Sequence, residues 1–483
     1  MSLPEVRQTR HFLKLLSVCL VGALQACGGG GGGGSGGNTA TETSSGYFDA
    51  PFVSSASLAG QCSIGPEKQF IRSYLDEVYL WPELVQRKAS TSYQTAADYF
   101  DAILAPSPID RFSFSSSSQE ADDMETAESF DVGIHWTQTG TDDQPVWRIA
   151  RVEPNSPAMN AGLRRGDTLY GRVSTSLGTT ATTANYYDFS YLRNGGLFQA
   201  QLTPTQINED PVGQPTVIER TTNKVGYIGF ESHYGNAQDQ LIESIYALRY
   251  GDINELVIDL RYNSGGFLYI SGTLASMLAP ASTLSSQPIF IRLQPNNKQT
   301  SLYQDAQLRM TSEVEFAEDD AKYKAGTALP QLQLKRVYVL TTGATCSASE
   351  SLINGLRGVG VTVHIIGDTT CGKPYGMSRQ DNCGTAYYPI EFRGVNARGE
   401  SDFVNGFAPT CNVPDDLDHA LGDPQEAQLK AALTHMETGS CPANNLVTKR
   451  SAATAQMSPR PLGAGYTPPQ RQRPGLAILQ PAR

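Results

Sequence analysis

The stretch ELVIDLRYNSGG, residues 255–266, begins with an apolar run and ends in a polar turn with two glycines. The apolar part, residues 255–260, predicts a buried strand. Outward from it, strand patterns alternate with helical ones: strands at 225–230, 288–293, 337–342 and 361–366, and helices at 238–249, 268–279 and 349–356. This alternation predicts an α/β fold with a mainly parallel sheet covered on both faces.

Three polar segments follow predicted strands of this sheet. They are DLRYNSGG at 259–266, TCSASE at 345–350 and GDTTCGK at 367–373. Ligand crevices in parallel sheets lie at the carboxyl ends of the strands. We therefore expect the three segments to meet at one edge and form a functional site.

These segments resemble the three sequence blocks of the C-terminal processing (tail-specific) serine peptidases. That family shows Asp-Leu-Arg-x-Asn-x-Gly-Gly, then a serine before Ala-Ser-Glu, then a Gly-Lys. The resemblance covers roughly residues 65–440. It implies a crotonase/ClpP-like core in which Ser347 is the nucleophile and Lys373 the general base, with no metal or organic cofactor. Glu350 matches the family's glutamate, as a structural cap or a catalytic group. Arg357 stands where the family often has a glutamine that orients the lysine, so the third member of the site stays open.

The chemistry of these residue types agrees with the resemblance. A serine hydroxyl needs a base to become a nucleophile. A lysine can be that base if burial lowers its pKa toward neutrality, and Lys373 follows a predicted apolar strand. Ser347 lies where a strand turns into a helix, and amides at a helix start suit an oxyanion. The amide of Ala348, with one from Gly265 or Gly266, is predicted to form the oxyanion hole.

Residues 128–205 resemble a PDZ domain of the bacterial protease type. The supporting motifs are EPNSPA at 153–158, AGLRRGDTL at 161–169 and a strand pattern at 146–152. Ser156 suits a helix cap with a proline at the first helical position, and Gly162 suits the helix end. The resemblance implies that the loop with Val132, Gly133 and Ile134 receives a peptide carboxylate while the peptide adds as a strand.

The first residues predict export. Arg7, Arg10 and Lys14 precede the apolar run 15–24, which is shorter than the ~20 residues of a membrane span and is typical of a signal peptide. Cys27 then ends a sequence that resembles a bacterial lipobox, which implies lipidation of Cys27. Gly28 follows instead of Asp, so the expected location is the cell envelope, anchored in the outer membrane and facing the periplasm.

These observations divide the chain into six predicted parts. They are a signal peptide (1–26), a Gly/Ser-rich tether (27–60), a helical N-terminal domain (61–127), the PDZ domain (128–205), the peptidase core (206–445) and a basic, proline-rich disordered tail (446–483). The polar stretch 295–335, with an acidic run at 313–320, is expected to be a surface insertion.

Charge and cysteine count narrow the function classes. The net charge of -11 argues against nucleic acid as a partner. Six cysteines beyond Cys27 suggest disulfides in an exported protein. The hypothesis is Cys346–Cys371 beside the site, Cys383–Cys411, and Cys62–Cys441 joining the ends of the folded part.

Three other functions are compatible with parts of the sequence. GDTTCGK also spells a phosphate-loop pattern, but Pro374 stands where a magnesium-binding hydroxyl belongs. A Ser-His hydrolase would need His233 near the site. A non-catalytic PDZ scaffold with an inactive core is the third alternative. The favoured function is a serine endopeptidase that cuts exported proteins or peptides near their C-termini.

Overall fold

The computed structural model describes residues 45–126, 128–141, 144–176, 186–301, 303, 305–442 and 476–478. All of them belong to one compact unit. The predicted signal peptide, the predicted lipidation site Cys27, most of the predicted tether and nearly all of the predicted tail lie outside the described residues. In the described part of the chain, no helix is both long and apolar enough to cross a membrane.

The N-terminal region is a helical layer. Its elements are α1 (Ser55–Leu58), α2 (Ile64–Val78), α3 (Ala96–Ile103), the strand β1 (Phe114–Ser117) and α4 (Ser118–Glu125), with short 3₁₀ turns at Pro82–Leu84 and Ser90–Ser92. Helix α2 buries Phe70, Ile71 and Leu75 on one face, as the helical spacing of these residues predicts. Thr95 begins α3 by accepting a hydrogen bond from the amide of Asp98 at 3.0 Å.

The next region is antiparallel. It contains β2 (Glu128–Asp131), β3 (Ile134–Thr141), β4 (Gln144–Val152), α5 (Pro157–Asn160), β5 (Thr168–Ser176), β6 (Tyr186–Arg193), β7 (Gly196–Leu202) and β8 (Thr205–Asn208). Strands β3 to β7 form one sheet in chain order, and β2 pairs with β8. The sheet has its own apolar core around Trp136, Ile149 and Phe189. We call this region the β-domain.

Local signals in the β-domain act as the sequence predicts. The Oγ of Ser156 accepts a hydrogen bond from the amide of Met159 at 3.1 Å, with a proline at the first position of α5. Gly162 has a φ of +76° just after that helix. This conformation favours glycine and ends the helix.

The core sheet confirms the mainly parallel α/β fold. Its strands are β9 (Thr216–Glu219), β10 (Lys224–Gly229), β11 (Glu255–Asp259), β15 (Arg336–Thr341), β16 (Thr362–Gly367) and β21 (Cys411–Asn412). Their order is β21-β16-β15-β11-β10-β9. All neighbours are parallel except β9, which runs antiparallel to β10. Every residue of the central β11 is buried, as a strand covered on both faces requires.

Helices cover both faces of this sheet. The helices of the region are α6 (Ala237–Tyr250), α7 (Leu268–Leu278), α8 (Ala281–Leu284), α9 (Ala348–Gly358) and α10 (Ala427–Thr438). Ile228, Leu256 and Ile258 pack in the cluster that contains α6, α7 and α9. Val257 and Leu340 pack in the cluster that contains α10. Successive residues of a strand therefore pack into two separate apolar cores, one on each face of the sheet.

Smaller strands extend the molecule beside the core sheet. They are β12 (Gly265–Phe267), β13 (Ile289–Pro295), β14 (Gln307–Arg309), β17 (Tyr375–Gly376), β18 (Gln380–Asn382), β19 (Thr385–Tyr388), β20 (Phe392–Val395) and β22 (Leu476–Ile478). One sheet has the order β14-β13-β20-β17, another β1-β19-β18, and β12 pairs with β22. The strand predicted at 288–293 thus exists, but it belongs to an antiparallel sheet rather than to the parallel one.

The stretch 295–335 is more than a surface insertion. Met310 and Val314 are buried in the main core. Its acidic part docks on two helices, since Glu318 accepts a hydrogen bond from the Tyr269 hydroxyl at 2.9 Å and the Phe316 carbonyl accepts one from Gln238 at 2.8 Å. The segment is mostly polar, so its few buried apolar residues give no pattern from which the sequence predicts this packing.

Three disulfides are present: Cys62–Cys383, Cys346–Cys371 and Cys411–Cys441. The Cys346–Cys371 hypothesis is confirmed, whereas Cys383–Cys411 and Cys62–Cys441 are wrong. Cys383 lies in the turn between β18 and β19, which faces the N-terminal layer, where the Gly60 amide bonds Asn382 at 2.8 Å. Cys411 lies on the edge strand β21, and Cys441 follows α10, which packs on the same sheet.

Candidate active site

Ser347 directly precedes helix α9 in a strained conformation. Its φ is +62°, which is rare for a residue with a Cβ and is typical of functional sites. The amide of the preceding Cys346 donates to the carbonyl of Asn263 at 3.0 Å, which ties this turn to the end of β11. Ser347 is fully buried, and its Oγ makes no hydrogen bond to the described residues. The turn is therefore held through its backbone, while the hydroxyl is unengaged.

Glu350 joins the serine segment to the lysine segment. Its carboxylate accepts hydrogen bonds from the amides of Ser347 (3.0 Å), Gly372 (2.8 Å) and Lys373 (2.8 Å), and from the hydroxyl of Thr370 (2.5 Å). Burial raises the pKa of Glu350, and these hydrogen bonds oppose that rise. One buried carboxylate thus holds the two backbone segments against each other.

The disulfide between Cys346 and Cys371 makes the same connection covalently. Cys346 immediately precedes Ser347, and Cys371 lies two residues before Lys373. The structure therefore brings these two sequence-predicted residues to the same end of the sheet, although they are 26 positions apart in the chain.

Lys373 lies in an apolar environment. It is 1% exposed. Its Nζ is 5.3 Å from the ring centroid of Phe112 and 3.9 Å from the Sδ of Met377. Burial lowers the pKa of Lys373 to about 7, against the opposing influence of the Asp110 and Glu350 carboxylates. A large fraction of this amine is therefore neutral near pH 7.

The N-terminal layer covers the lysine, which the sequence did not predict. Phe112 contacts the amine, and the neighbouring Arg111 donates to the carbonyl of Cys371 at 2.8 Å. Asp110 accepts hydrogen bonds from the amides of Phe112 and Ser113, at 2.9 and 3.0 Å, and so orders this turn. No motif in residues 110–113 distinguishes them from an ordinary loop.

Arg357, at the position of the family's glutamine, is directed away from this role. Its guanidinium donates to the carbonyl of Val363 at 3.2 Å and lies 5.0 Å from the ring centroid of Phe407. Its charge is not among the causes of the shifted pKa of Lys373.

The backbone amides of Gly265, Gly266 and Ala348, which were predicted to form an oxyanion hole, differ in whether they already donate a hydrogen bond within the protein. The amide of Gly265 donates to the Oδ1 of Asn263 at 3.0 Å and is already engaged. Ala348 is the first residue of α9, so its N–H has no partner within the helix. Gly266 is the next residue of β12, and a Cβ there would lie 2.4 Å from the carbonyl oxygen of His233. Ala348 and Gly266 are thus the better donors.

His233 is buried behind this turn. Its Nδ1 is 3.0 Å from the Oδ1 of Asn263, and its backbone bonds Gly265 and Phe267 at 2.9 and 2.8 Å. Burial lowers the pKa of His233 to about 3. A histidine with so low a pKa is a weak base, and its contacts are those of a residue that shapes the glycine turn.

The phosphate-loop interpretation does not fit the geometry. The amides of Gly372 and Lys373, which would cradle a phosphate, donate to Glu350. A carboxylate in this place repels an anion.

Among the described residues, two groups of side chains have the spacing of metal ligands. One group is Cys411, His435 and Cys441, and the other is Cys346, Glu350 and Cys371. Each group contains a disulfide, so its sulfurs are not thiolates.

A buried ion network supports the end of β11. Arg261 bonds Asp259 at 2.6 Å, and both Asp415 and Glu426 at 2.9 Å. From the β-domain, Arg165 reaches the same Asp415 at 2.6 Å and the hydroxyl of Tyr262 at 2.6 Å. The sequence motif contains Arg261 and Asp259, but Asp415 and Glu426 lie 154 and 165 residues downstream of Arg261 and carry no sequence signal of their own.

The loop predicted to bind a peptide lies at the edge of the β-domain sheet. Val132 and Ile134 are buried. The amide of Val132 donates to the side chain of Asp131 at 2.5 Å, and the carbonyls of Val132 and Gly133 accept bonds from Ala158 and Glu153. Strand β3, which begins at Ile134, is an outer strand of the five-stranded sheet. Within that sheet, among the described residues, β3 pairs only with β4.

Comparisons with known proteins agree with this architecture. Residues 224–412 match the model of peptidase family S41, and residues 67–114 match the peptidase S41 N-terminal domain. The chloroplastic carboxyl-terminal-processing peptidase 2 of Arabidopsis thaliana is 28% identical over 148 residues, which are 26% of this chain and 28% of that protein. The match thus spans less than a third of this relative.

Among solved structures, a putative S41 protease from Bacteroides fragilis has the same fold, with a TM-score of 0.59 and 24% identity over 77% of this chain and 97% of its own. The photosystem II D1 C-terminal processing protease aligns over 72% of this chain and 93% of its own, with 17% identity and a TM-score of 0.43. The matched N-terminal segment is the one that covers Lys373, and the matched core contains both Ser347 and Lys373. Residues 67–114 and 224–412 of the chain are therefore peptidase S41 family domains.

Proposed function

We propose that the protein is a serine endopeptidase that works through Ser347 and Lys373. The observation that carries this proposal is the pairing of an unengaged, strained serine with a buried lysine through Glu350. A lysine whose pKa is lowered to about 7 can accept a proton near neutral pH. The match of residues 224–412 to peptidase family S41 agrees with this chemistry.

The mechanism follows from these positions. The Oγ of Ser347 attacks the scissile carbonyl while Lys373 takes the hydroxyl proton. The amides of Ala348 and Gly266 receive the oxyanion of the tetrahedral intermediate. Lys373 then gives its proton to the leaving amine, and an acyl-enzyme on Ser347 remains. Water, deprotonated by Lys373, releases the new carboxylate and restores the serine.

The proposed substrates are exported proteins or peptides with an accessible C-terminus. The β-domain would act as a PDZ domain and capture the tail beside Val132, Gly133 and Ile134 by strand addition at β3. The proposed location is the bacterial envelope, with lipidated Cys27 anchored in the outer membrane on the periplasmic side.

Hydrolysis of an unfolded model protein by the full chain tests the proposal. Ser347→Ala and Lys373→Ala should each lower kcat/KM by about 10³-fold or more without loss of folding. The exposed Ser285→Ala and Lys430→Ala serve as matched controls and should retain activity. Activity that survives Lys373→Ala would rule out the lysine base. A parent protein that binds C-terminal peptides but never cleaves them would favour the non-catalytic scaffold.

A further inference from the structure

The C-terminal segment of the chain lies in the proposed active site. Strand β22 pairs in parallel with β12, and Gly265, Gly266 and Phe267 lie opposite Leu476, Ala477 and Ile478. The same strand also contacts β17 and helix α9. Helix α9 begins immediately after Ser347, and β17 begins two residues after Lys373. The backbone of 476–478 therefore contacts the two elements that follow the proposed catalytic residues along the chain.

The pairing uses the edge of β12 that a substrate would need. On its other edge, the Gly265 carbonyl accepts from the amide of His233, and the Phe267 amide donates to the carbonyl of His233. This leaves the backbone groups of Gly266 for the edge occupied by β22. Gly266 is one of the two donors proposed for the oxyanion. A chain paired to it thus occupies the position of a substrate backbone.

The chain is long enough to make this contact within one molecule. The 33 residues 443–475 separate the last core residue from β22. Fully extended, such a segment spans about 100 Å.

We propose that residues 476–478 are an intramolecular ligand of the active site, which occupies the β12 edge as a pseudosubstrate and inhibits the enzyme in cis. This inference rests on the proposed function. It also implies how substrates bind. A substrate would displace residues 476–478 and lie as an extended backbone parallel to β12, paired with Gly266.

The test compares two proline substitutions in the full chain. Ala477→Pro removes an N–H and restricts the backbone in the middle of β22, whereas Ala453→Pro is a matched control elsewhere in the tail. Ala477→Pro should raise kcat/KM for an unfolded model protein by roughly 2- to 10-fold, and Ala453→Pro should not. Equal activity of the two variants, with Ser347-dependent hydrolysis present, would overturn the proposal.

A binding measurement keeps the test independent of catalysis. A fluorescent peptide of residues 471–483 should bind the Ser347→Ala/Ala477→Pro protein and bind Ser347→Ala with the native tail at least severalfold more weakly. Equal binding to both would contradict occupation of the site. Intact-mass spectrometry then shows whether the tail is cleaved. Loss of the segment from the parent but not from Ser347→Ala would mean that the tail is a substrate rather than an inhibitor, and would overturn the proposal.

Discussion

The carboxylate of Glu350 makes the backbone geometry of the proposed dyad depend on one side chain. Glu350→Gln keeps the shape but presents an N–H to a site surrounded by the donors of Ser347, Gly372 and Lys373. We expect kcat to fall by about 10²-fold with little change in KM, and the free energy of unfolding to fall by about 2–3 kcal/mol. Steady-state kinetics and urea unfolding measure these effects.

The matched control for that variant is Glu437→Gln, which alters an exposed ion pair with Arg220. Exposed pairs contribute little, so its kinetics and stability should stay near those of the parent. If Glu350→Gln behaved like Glu437→Gln, Glu350 would not position the dyad.

For individual residues, the sequence pointed to the two proposed catalytic side chains but not to the residues that surround them. Ser347 and Lys373 lie in short motifs with a chemical rationale. The turn at Asp110 and Phe112, which buries the lysine, has no such pattern, because its role depends only on packing against a segment about 260 residues away. The availability of Gly266 instead of Gly265 likewise depends on the Asn263 side chain.

The element that defines the site is the start of helix α9, joined to the lysine loop by the Cys346–Cys371 disulfide. Replacing both cysteines by serine should lower the free energy of unfolding by about 3 kcal/mol and lower kcat as well, because the two reactive segments would move relative to each other. Denaturant unfolding and steady-state kinetics provide the two readouts.

The Cys411–Cys441 bridge is a suitable control for that variant, since it closes 30 residues against 25 for the first bridge. Its removal should cost similar stability but leave kcat unchanged under conditions where the protein stays folded. Equal kcat in the two double variants would show that the first bridge has no part in the site geometry.

Sequence periodicity predicted most elements of the core correctly but not the partners of the outer strands. The buried strand β11 and helix α6 follow directly from apolar patterns. Strand β13 was placed in the wrong sheet, because a short apolar run does not show that its partner is β20, about 100 residues downstream. Two of the three disulfide hypotheses were wrong for the same reason. The pairing depends on how distant elements pack.

Across the whole molecule, Arg165 connects the β-domain to the end of the core sheet that carries the site. Arg165→Ala leaves Tyr262 and Asp415 without this partner. We expect the free energy of unfolding to fall by about 2–3 kcal/mol, and amide hydrogen exchange to become faster in residues 411–420. Hydrogen exchange with mass spectrometry measures the local effect.

The control for Arg165→Ala is Arg220→Ala, which breaks the exposed ion pair with Glu437. It should change the free energy of unfolding by less than about 1 kcal/mol. Unchanged exchange at 411–420 in Arg165→Ala would mean that the β-domain is held by other contacts.

The central claim, that Lys373 activates Ser347, is tested most directly by the pH dependence of serine phosphonylation. A small fluorophosphonate would be used with the full chain, and labelling of Ser347 would be followed by mass spectrometry. Only the neutral amine accepts a proton, so the rate should rise with pH through about 7, the lowered pKa of Lys373, and be lost as the pH falls below it. Lys373→Met should show almost no labelling across this range, whereas His233→Ala should keep the parent profile if it folds. Labelling of Lys373→Met at the parent rate, or a parent rate that does not change between pH 5.5 and 8.5 (about 1.5 pH units on either side of that pKa), would contradict the account.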